Sequence, residues 1–527
     1  MNRLRRTSFR LALAVTAPLA VIIVLELACH LFGWGHPTRF VLRAKHEGIP
    51  VWIDNQIFGY RFFDPAVSRA PTPIMVPVDK ATNEFRIVVL GESAAMGEPE
   101  PAYGPARMLE QLISVQHPGK HVRVINAAMT AINSHVIAEI ARDLGRLQPD
   151  VVILYIGNNE VVGPFGPGTV FHTYAASPAL NRLRVALTRL RVTSAIRSML
   201  FVQRGDREIW RGMEMFTRNR VSANDPRMKT VYSSLRGNIE RIVKRAESVK
   251  SHVIISTIAV NLADQAPLDG SPVVNDTSLN ALKQQRDADT LRFRADSKIN
   301  KIMSDVAHDN PRIHLVDAER AFEQEGAPGK KWFIDHVHFT FDGSYRLARL
   351  WNDAIDTILP DESAKVLTRD EMAQRLVWNP YNALEIAEVM LERASRPPFF
   401  TTADRSSRLL YWTREYARLM QQTRSLSLDE VMNAYDIAMT REPRDVYHPQ
   451  QAIRALLMDD RFQDAGERLV RLHAMIPHRA DVRGWMAIWA ALGGKPERAW
   501  DIMIRDAPDL GQLPADMIMS ASETLLQ

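Results

Sequence analysis

The sequence predicts an α/β fold for its central half, a parallel sheet covered by helices on both faces, followed by an all-α region. Three patterns predict it. Short aliphatic runs suited to buried parallel strands recur at Ile87 to Leu90, Val122 to Ile125, Val151 to Tyr155, Val253 to Ile258 and Ile313 to Val316. Amphipathic segments of helical length separate them, at about 103–115, 134–147, 228–249, 287–307 and 341–358. Beyond Leu359 the strand signals stop and the remainder reads as helices. Strand alternating with helix places the crossovers on the two faces of one sheet.

A chain of 527 residues, 46% hydrophobic and 24% charged, holds two or three folded units. The net charge of +5 is spread without a Lys/Arg block, so it carries no nucleic-acid signature and none is expected as a partner. Cys29 is the single cysteine, which excludes an intrachain disulfide and a cysteine-based metal site.

At the N-terminus Arg3, Arg5, Arg6 and Arg10 precede an uncharged run, Leu11 to Leu25, and apolar character continues past Glu26 and His30 to Trp34. Residues 1–35 are expected to form an uncleaved helix through a bilayer of about 30 Å. Basic residues before that helix favour a cytoplasmic N-terminus, although Arg39, Arg43 and Lys45 weaken the asymmetry. The expected location is therefore the inner membrane, single-pass, with a periplasmic body. A cleaved signal peptide is the rival reading, but the run is long for one and no clean A-x-A site follows. Leu25 to Cys29 matches a lipoprotein box loosely, with Glu26 in an aliphatic position.

Residues 36–85, with DNQIFGYRFFDP and APTPIMVPV, read as an extended linker packed on a domain surface. Residues 86–360 form the α/β domain, within which 164–227 lacks strand signals and reads as a helical excursion or lid. Ala266 to Leu279 reads as a polar surface loop. In residues 361–527, the stretches 433–446 and 467–482 align, with Pro443 and Pro477 34 residues apart and Pro508 a further 31 along. Helix pairs closed by proline at that period resemble tetratricopeptide repeats; a plain helical domain is the alternative.

The first strand ends abruptly in Gly91-Glu92-Ser93. In an open parallel sheet, ligands bind outside the carboxyl ends of the strands. A hydroxyl is a poor nucleophile at neutral pH, so it needs a base in hydrogen-bond reach and a third group to orient that base. FIDHVHFTFDG supplies both: Asp335 and His338, with two residues between them, lie in the loop before the last helix of the domain. An oxyanion needs donors, and two more strand ends offer them, Asn126-Ala127-Ala128 and Gly157-Asn158-Asn159-Glu160. Asn159 brings a neutral amide that does not titrate.

GESAAMG resembles the GDSxxxG block of the SGNH/GDSL hydrolase superfamily, GNNE its GxND block and DHVH its DxxH block, in the family's order over about 86–359. The resemblance implies a flavodoxin-like three-layer α/β/α fold and esterase or acyl-transfer chemistry without metal or cofactor. It assigns Ser93 as nucleophile, His338 as base and Asp335 as its partner, with oxyanion donors at the Ser93 amide, the Ala128 amide and the Asn159 side chain. Glu92 and Glu160 stand where the family has aspartate, and Ala128 where it has glycine. INAAMTAINSH and YIGNNEVVGPFGPGTVF look like a bacterial membrane-anchored subgroup in which such a domain is joined to tetratricopeptide-like repeats.

Blander roles stand beside these. Ser93 also suits a helix N-cap. His336, His338 and Asp335 suggest zinc, yet a third strong ligand is missing and no metal is expected. Asn158 reads as a loop hydrogen-bonder, His135 as a polar helix-start residue or a substrate contact, and Glu160 as a loop brace or a catalytic helper. The Trp and Met residues of 411–503 read as core. The mechanism expected is attack by Ser93 on an ester carbonyl, then release of the acyl group to water or to a sugar hydroxyl. The substrate expected is an ester-bearing small molecule or a cell-envelope or exopolysaccharide carrying acyl groups, O-acetyl above all. An O-acyltransferase uses the same triad. The other class is an idle hydrolase fold acting as an assembly scaffold, its repeats binding a protein partner.

Overall fold

The computed structural model of the chain describes residues 2–171, 177–203, 211–359 and 365–492. Strands β1 (Val41–His46), β2 (Ile49–Asp54) and β3 (Met75–Pro77) form an antiparallel sheet in that order. This differs from the extended linker expected over 36–85. Glu47 and Gly48, at φ 49° and 80°, make the two-residue turn that pairs β1 with β2, because both central positions of such a turn need positive φ. The aromatics that suggested surface packing, Phe40, Phe58, Phe62 and Phe63, are buried in the main core.

The second sheet is parallel and holds all five predicted strands: β4 (Glu84–Gly91), β5 (His121–Asn126), β6 (Val151–Tyr155), β7 (His252–Ser256) and β8 (Ile313–Val316). Its order is β5-β4-β6-β7-β8. The chain leaves β4 for β5 on one side and returns to β6 on the other, so the order reverses at the tip of β4, the kind of point at which open α/β sheets bind ligands. Every residue of β6 and Ile87 to Leu90 of β4 are buried, as continuous aliphatic runs between two helical layers must be.

Helix α1 spans Asn2–Phe32. The domain continues with α2 (Ser93–Met96), α3 (Pro105–Gln116), α4 (Ser134–Ile140), α5 (Leu144–Leu147), α6 (Pro178–Leu187), α7 (Arg191–Gln203) and α8 (Met228–Ser248). It closes with α9 (Leu279–Ala288), α10 (Ser297–His308), α11 (Ala318–Glu323) and α12 (Phe341–Asp356). Helices α3 and α12 pack together on one face of the sheet, and α4, α8 and α10 on the other. The helix expected over 287–307 begins only at Ser297, because Asp296 caps it by accepting the Ile299 N–H at 2.9 Å. In the loop expected over 266–279, residues 266–269 are buried and 270–278 are exposed, with Asp289 accepting the Leu268 N–H at 2.8 Å. The excursion over 164–227 contains α6 and α7.

The expected membrane anchor is overturned: among the described residues no helix is long and apolar enough to cross a membrane. The charge-free run Leu11 to Leu25 of α1 is 15 residues, a rise of about 22 Å, short of the roughly 30 Å of a hydrocarbon core. Its continuation is tied to protein: Glu26 accepts the N–H groups of Arg191 and Val192 at the start of α7, both at 3.0 Å, and pairs with His30 at 3.2 Å. The single-pass inner-membrane location with a periplasmic body is withdrawn with it, as is the membrane as a partner.

Beyond residue 365 the chain is helical: α13 (Arg369–Arg375), α14 (Pro380–Ala394), α15 (Arg405–Ser425), α16 (Leu428–Arg441), α17 (Tyr447–Met458), α18 (Phe462–Met475) and α19 (Ala480–Leu492). Helices α14 and α15 pair around Leu384, Met390, Trp412 and Leu419. Helices α16 to α19 pack in succession around Tyr435, Leu456, Leu469 and Leu472. Pro508 and everything from residue 493 lie outside the described residues. This helical region is clasped to the rest. Buried Arg107 of α3 donates to Asp445 at 3.0 Å, and Asp54 at the end of β2 accepts from Arg479 and His478, both at 2.9 Å.

Candidate active site

Ser93 is the first residue of α2, one step past the tip of β4. Gly91 makes that sharp exit feasible: a Cβ there would lie 2.3 Å from the Ala95 Cβ and 2.8 Å from the Tyr155 carbonyl oxygen. The N-cap position of α2 is held by Glu92, not by Ser93. Its Oγ lies 2.8 Å from Nε2 of His338. Nδ1 of the same ring is 2.7 Å from Oδ2 of Asp335. The three side chains expected to converge do so, and all three are buried. The N-cap reading of Ser93 does not hold.

The 335–338 loop is rigid for local reasons. Asp335 Oδ1 accepts the N–H groups of Val337 at 3.0 Å and His338 at 2.8 Å, so one carboxylate both folds the turn and faces the imidazole. The Ile334 N–H donates to the His338 carbonyl at 2.9 Å beneath a bridge between Phe333 and Phe339. The Asn261 side chain holds the Asp335 carbonyl from β7's exit at 2.9 Å. Burial alone would raise the Asp335 pKa, but the imidazoles of His338 and His336 outweigh it and hold the carboxylate well below its usual range.

One possible ligand atom from each of Asp335, His336 and His338 lies within 4.8 Å of the others. Both nitrogens of His338 are nevertheless engaged, one by Ser93 and one by Asp335, which leaves that ring no lone pair for an ion. His336 is enclosed by Phe293 and Phe399, ring centroids 6.1 and 5.6 Å away, and burial lowers its pKa.

The expected oxyanion donors differ in availability. Ser93 begins α2, so its N–H has no acceptor within that helix. The Ala128 N–H already donates to Asn126 Oδ1 at 3.2 Å. Asn159 is placed by its backbone: its N–H and that of Asn158 donate to the two oxygens of Glu92 at 3.3 and 2.8 Å. Gly157 precedes them at φ 151°, where a Cβ would meet Ile299 Cγ2 at 2.6 Å. Burial, then the neighbouring Glu160, pushes the Glu92 carboxyl well above its usual range.

The remaining polar residues take the blander roles. Asn158 Oδ1 accepts the Ala295 N–H at 3.0 Å and braces a loop. Glu160 accepts the N–H and the hydroxyl of Ser134, both at 2.7 Å, and burial raises it to about 7. His135 stands at the start of α4 with Nδ1 3.2 Å from the Asn238 amide, and burial lowers it to about 4. Of the Trp and Met residues expected as core over 411–503, Trp412, Met432, Met439 and Met486 are buried, Met458 is exposed, and Trp500 and Met503 lie outside the described residues.

Two residues at the site escaped the sequence reading. Arg393, in the last turn of α14, places Nη1 3.4 Å from Asp335 Oδ2 and donates from Nη2 to Glu98 at 3.0 Å. Glu98 stands five residues past Ser93, directly after the GESAAMG stretch. Nothing local marks Arg393, since its partner is 295 residues away in the chain.

No family model matches the chain, and no curated protein does. Among solved structures it is similar to a lipase/acylhydrolase from Enterococcus faecalis, 17% identical over 53% of this chain and 100% of that one, with a TM-score of 0.29. It is also similar to an acetyl xylan esterase, 13% identical over 51% and 100% with a TM-score of 0.29. A GDSL-like lipase from Bacteroides thetaiotaomicron is 15% identical over 53% and 92%, again at 0.29.

Proposed function

We propose that the chain is a serine ester hydrolase of the SGNH/GDSL type, with Ser93 as nucleophile, His338 as general base and acid, and Asp335 as the carboxylate that orients it. One observation carries this: a hydroxyl, an imidazole and a carboxylate in line, at 2.8 and 2.7 Å, at the switch point of a parallel sheet. The Ser93 hydroxyl gives its proton to Nε2 as Oγ attacks an ester carbonyl. The oxyanion is met by the Ser93 N–H and the Asn159 amide, and by the Ala128 N–H once Asn126 releases it. His338 then protonates the departing alkoxide, leaving an acyl-serine. Water enters, loses a proton to His338 as its oxygen attacks the acyl carbon, and His338 returns that proton to Ser93 Oγ as the acid leaves. No metal or cofactor takes part in these steps. The substrate class is an acyl ester, O-acetyl above all, of a small molecule or polysaccharide. The helices α16 and α18 begin 34 residues apart (428 to 462) and α17 and α19 33 apart (447 to 480), which supports a tetratricopeptide-like repeat as a surface for a protein partner.

A fluorophosphonate probe on the full-length chain should label Ser93, and p-nitrophenyl acetate turnover should fall by at least about 10³ in Ser93→Ala. Labelling at another residue, or turnover unchanged by the substitution, overturns the proposal and leaves the scaffold role. Acetyl transfer to an added oligosaccharide, read by mass spectrometry, distinguishes the transferase form.

A further inference from the structure

Two charged side chains meet the Ser93–His338–Asp335 relay from separate parts of the molecule. Glu98 arrives from the turn after α2, and Arg393 from α14 in the helical region. The Arg393 guanidinium bridges two carboxylates, 3.4 Å from Asp335 Oδ2 and 3.0 Å from Glu98 Oε2. Asp335 Oδ2 is also the oxygen that holds His338 Nδ1 at 2.7 Å, so the guanidinium and the imidazole share it. Thr130 donates to the other oxygen of Glu98 at 2.7 Å, which fixes the carboxylate from the exit of β5. The remaining charged or titratable groups around this cluster are Arg69, which faces Glu98, and His336, which faces Asp335 and itself feels Arg294. Burial would raise the Glu98 carboxyl, but Arg393, His338, the Thr130 hydrogen bond and Arg69 together hold it below its usual range.

The arithmetic of charge is simple. When His338 takes the serine's proton, it becomes a cation beside two carboxylates and one guanidinium. A carboxylate a few ångströms away stabilises an imidazolium and a guanidinium opposes it. A base must be neutral before the reaction and cationic during it, so the balance between the two decides at which pH it can act.

We infer that Arg393 and Glu98 are positioning residues for the proposed reaction: Arg393 anchors Asp335 and offsets its charge, Glu98 fixes Arg393, and together they set the pH at which His338 is free to accept a proton. This rests on the reading of Ser93, His338 and Asp335 as the catalytic relay. It also makes the helical region part of the catalytic unit, because the guanidinium comes from α14.

The test is the pH dependence of kcat/KM for p-nitrophenyl acetate on the full-length chain. Arg393→Met strips a positive charge, stabilises the imidazolium, and should move the acid limb to higher pH by about one unit. Glu98→Gln strips a negative charge and should move the same limb to lower pH by about one unit. Arg393→Lys keeps the charge and should restore the limb to near its wild-type position. A packing role alone lowers the rate without moving the midpoint, so a fixed midpoint in both charge-removing variants, or shifts of the same sign, overturns the inference. Should Arg393→Met not fold, shown by loss of a cooperative thermal transition, Glu98→Gln decides alone: a limb that stays fixed or moves to higher pH overturns the inference, and a limb that moves to lower pH while Arg393→Lys keeps the wild-type midpoint supports it. Fluorophosphonate labelling of the wild-type chain separates the two failures: no label at Ser93 removes the relay, whereas label at Ser93 with unmoved limbs removes only the role of Arg393 and Glu98.

Discussion

Two buried carboxylates flank Ser93 and end in opposite electrical states. Glu92 and Asp335 are each 2% exposed. Each accepts two backbone N–H groups, from Asn158 and Asn159 in one case and from Val337 and His338 in the other. Burial and Glu160 drive Glu92 well above its usual range, whereas His338 and His336 overcome burial at Asp335 and drive it well below. Equal burial and similar backbone donors therefore leave the charge undecided. What decides it is the group facing each carboxyl: Asp335 has the imidazoles of His338 at 2.7 Å and His336 at 3.3 Å, while Glu92 faces another carboxylate. One side of the serine is built to hold an anion, the other to hold a loop.

The strongest way to break the contrast is Asp335→Asn. The amide is nearly isosteric, yet it brings no charge and can present N–H to Nδ1, which favours the wrong tautomer of His338. Turnover of p-nitrophenyl acetate should fall by about 10⁴ with a cooperative thermal transition retained. A loss under about tenfold would mean the imidazole needs no anion behind it, and the distinction between the two sides would collapse.

The two sides were also unequally legible in the sequence. Strands β4 and β6 carry uninterrupted aliphatic runs, and a strand tip is a local feature, so Ser93 and the Asp335/His338 turn could be located from their immediate neighbours. Asn159 follows a glycine whose φ of 151° and lack of space for a Cβ make it a recognisable corner. What could not be read depends on contacts distant in sequence. The bond between Arg393 and Glu98 spans 295 residues, and the engagement of the Ala128 N–H by Asn126 is a matter of rotamer. The hairpin of β1 and β2 hides among prolines and aromatics that suit a linker equally well. Helix α1 misled because apolar residues were counted past Glu26, whose carboxylate closes on α7.

A smaller effect follows from Glu160, which shares the loop side with Glu92. Its folded pKa of about 7 lies above the ordinary 4.5. A raised carboxyl contributes stability that is complete below the unfolded pKa and is lost as pH climbs through the folded one. The loss should amount to about 3 kcal/mol between about pH 4.5 and 7. His135, lowered to about 4, acts with the opposite sign, since its folded form resists protonation and stability grows as pH rises from about 4 towards 6.5. The wild-type curve therefore mixes both, and the difference from Glu160→Gln isolates one. Gln cannot titrate, so denaturant unfolding should show the variant gaining on the wild type as pH rises through that window. Parallel curves would place Glu160 among ordinary carboxylates, ionised beside Glu92 across that window.

The least disruptive substitution is the most discriminating. Glu92→Gln makes the same chemical change as Asp335→Asn, at equal burial, on the other side of one serine. Because the Glu92 carboxyl is pushed towards its protonated form, a neutral amide removes little charge. One oxygen still accepts the Asn158 N–H, now 2.8 Å from the carboxyl, while the weaker 3.3 Å bond from Asn159 is surrendered. The cost should be the positional freedom that Asn159 regains, a drop in kcat of about tenfold or less, with KM nearly unchanged. The two variants should thus differ by a factor of about 10³, although each exchanges a single oxygen for an amide nitrogen. If Glu92→Gln proves as damaging as Asp335→Asn, Glu92 works as an anion after all, and Glu160 would then have to sit beside it protonated.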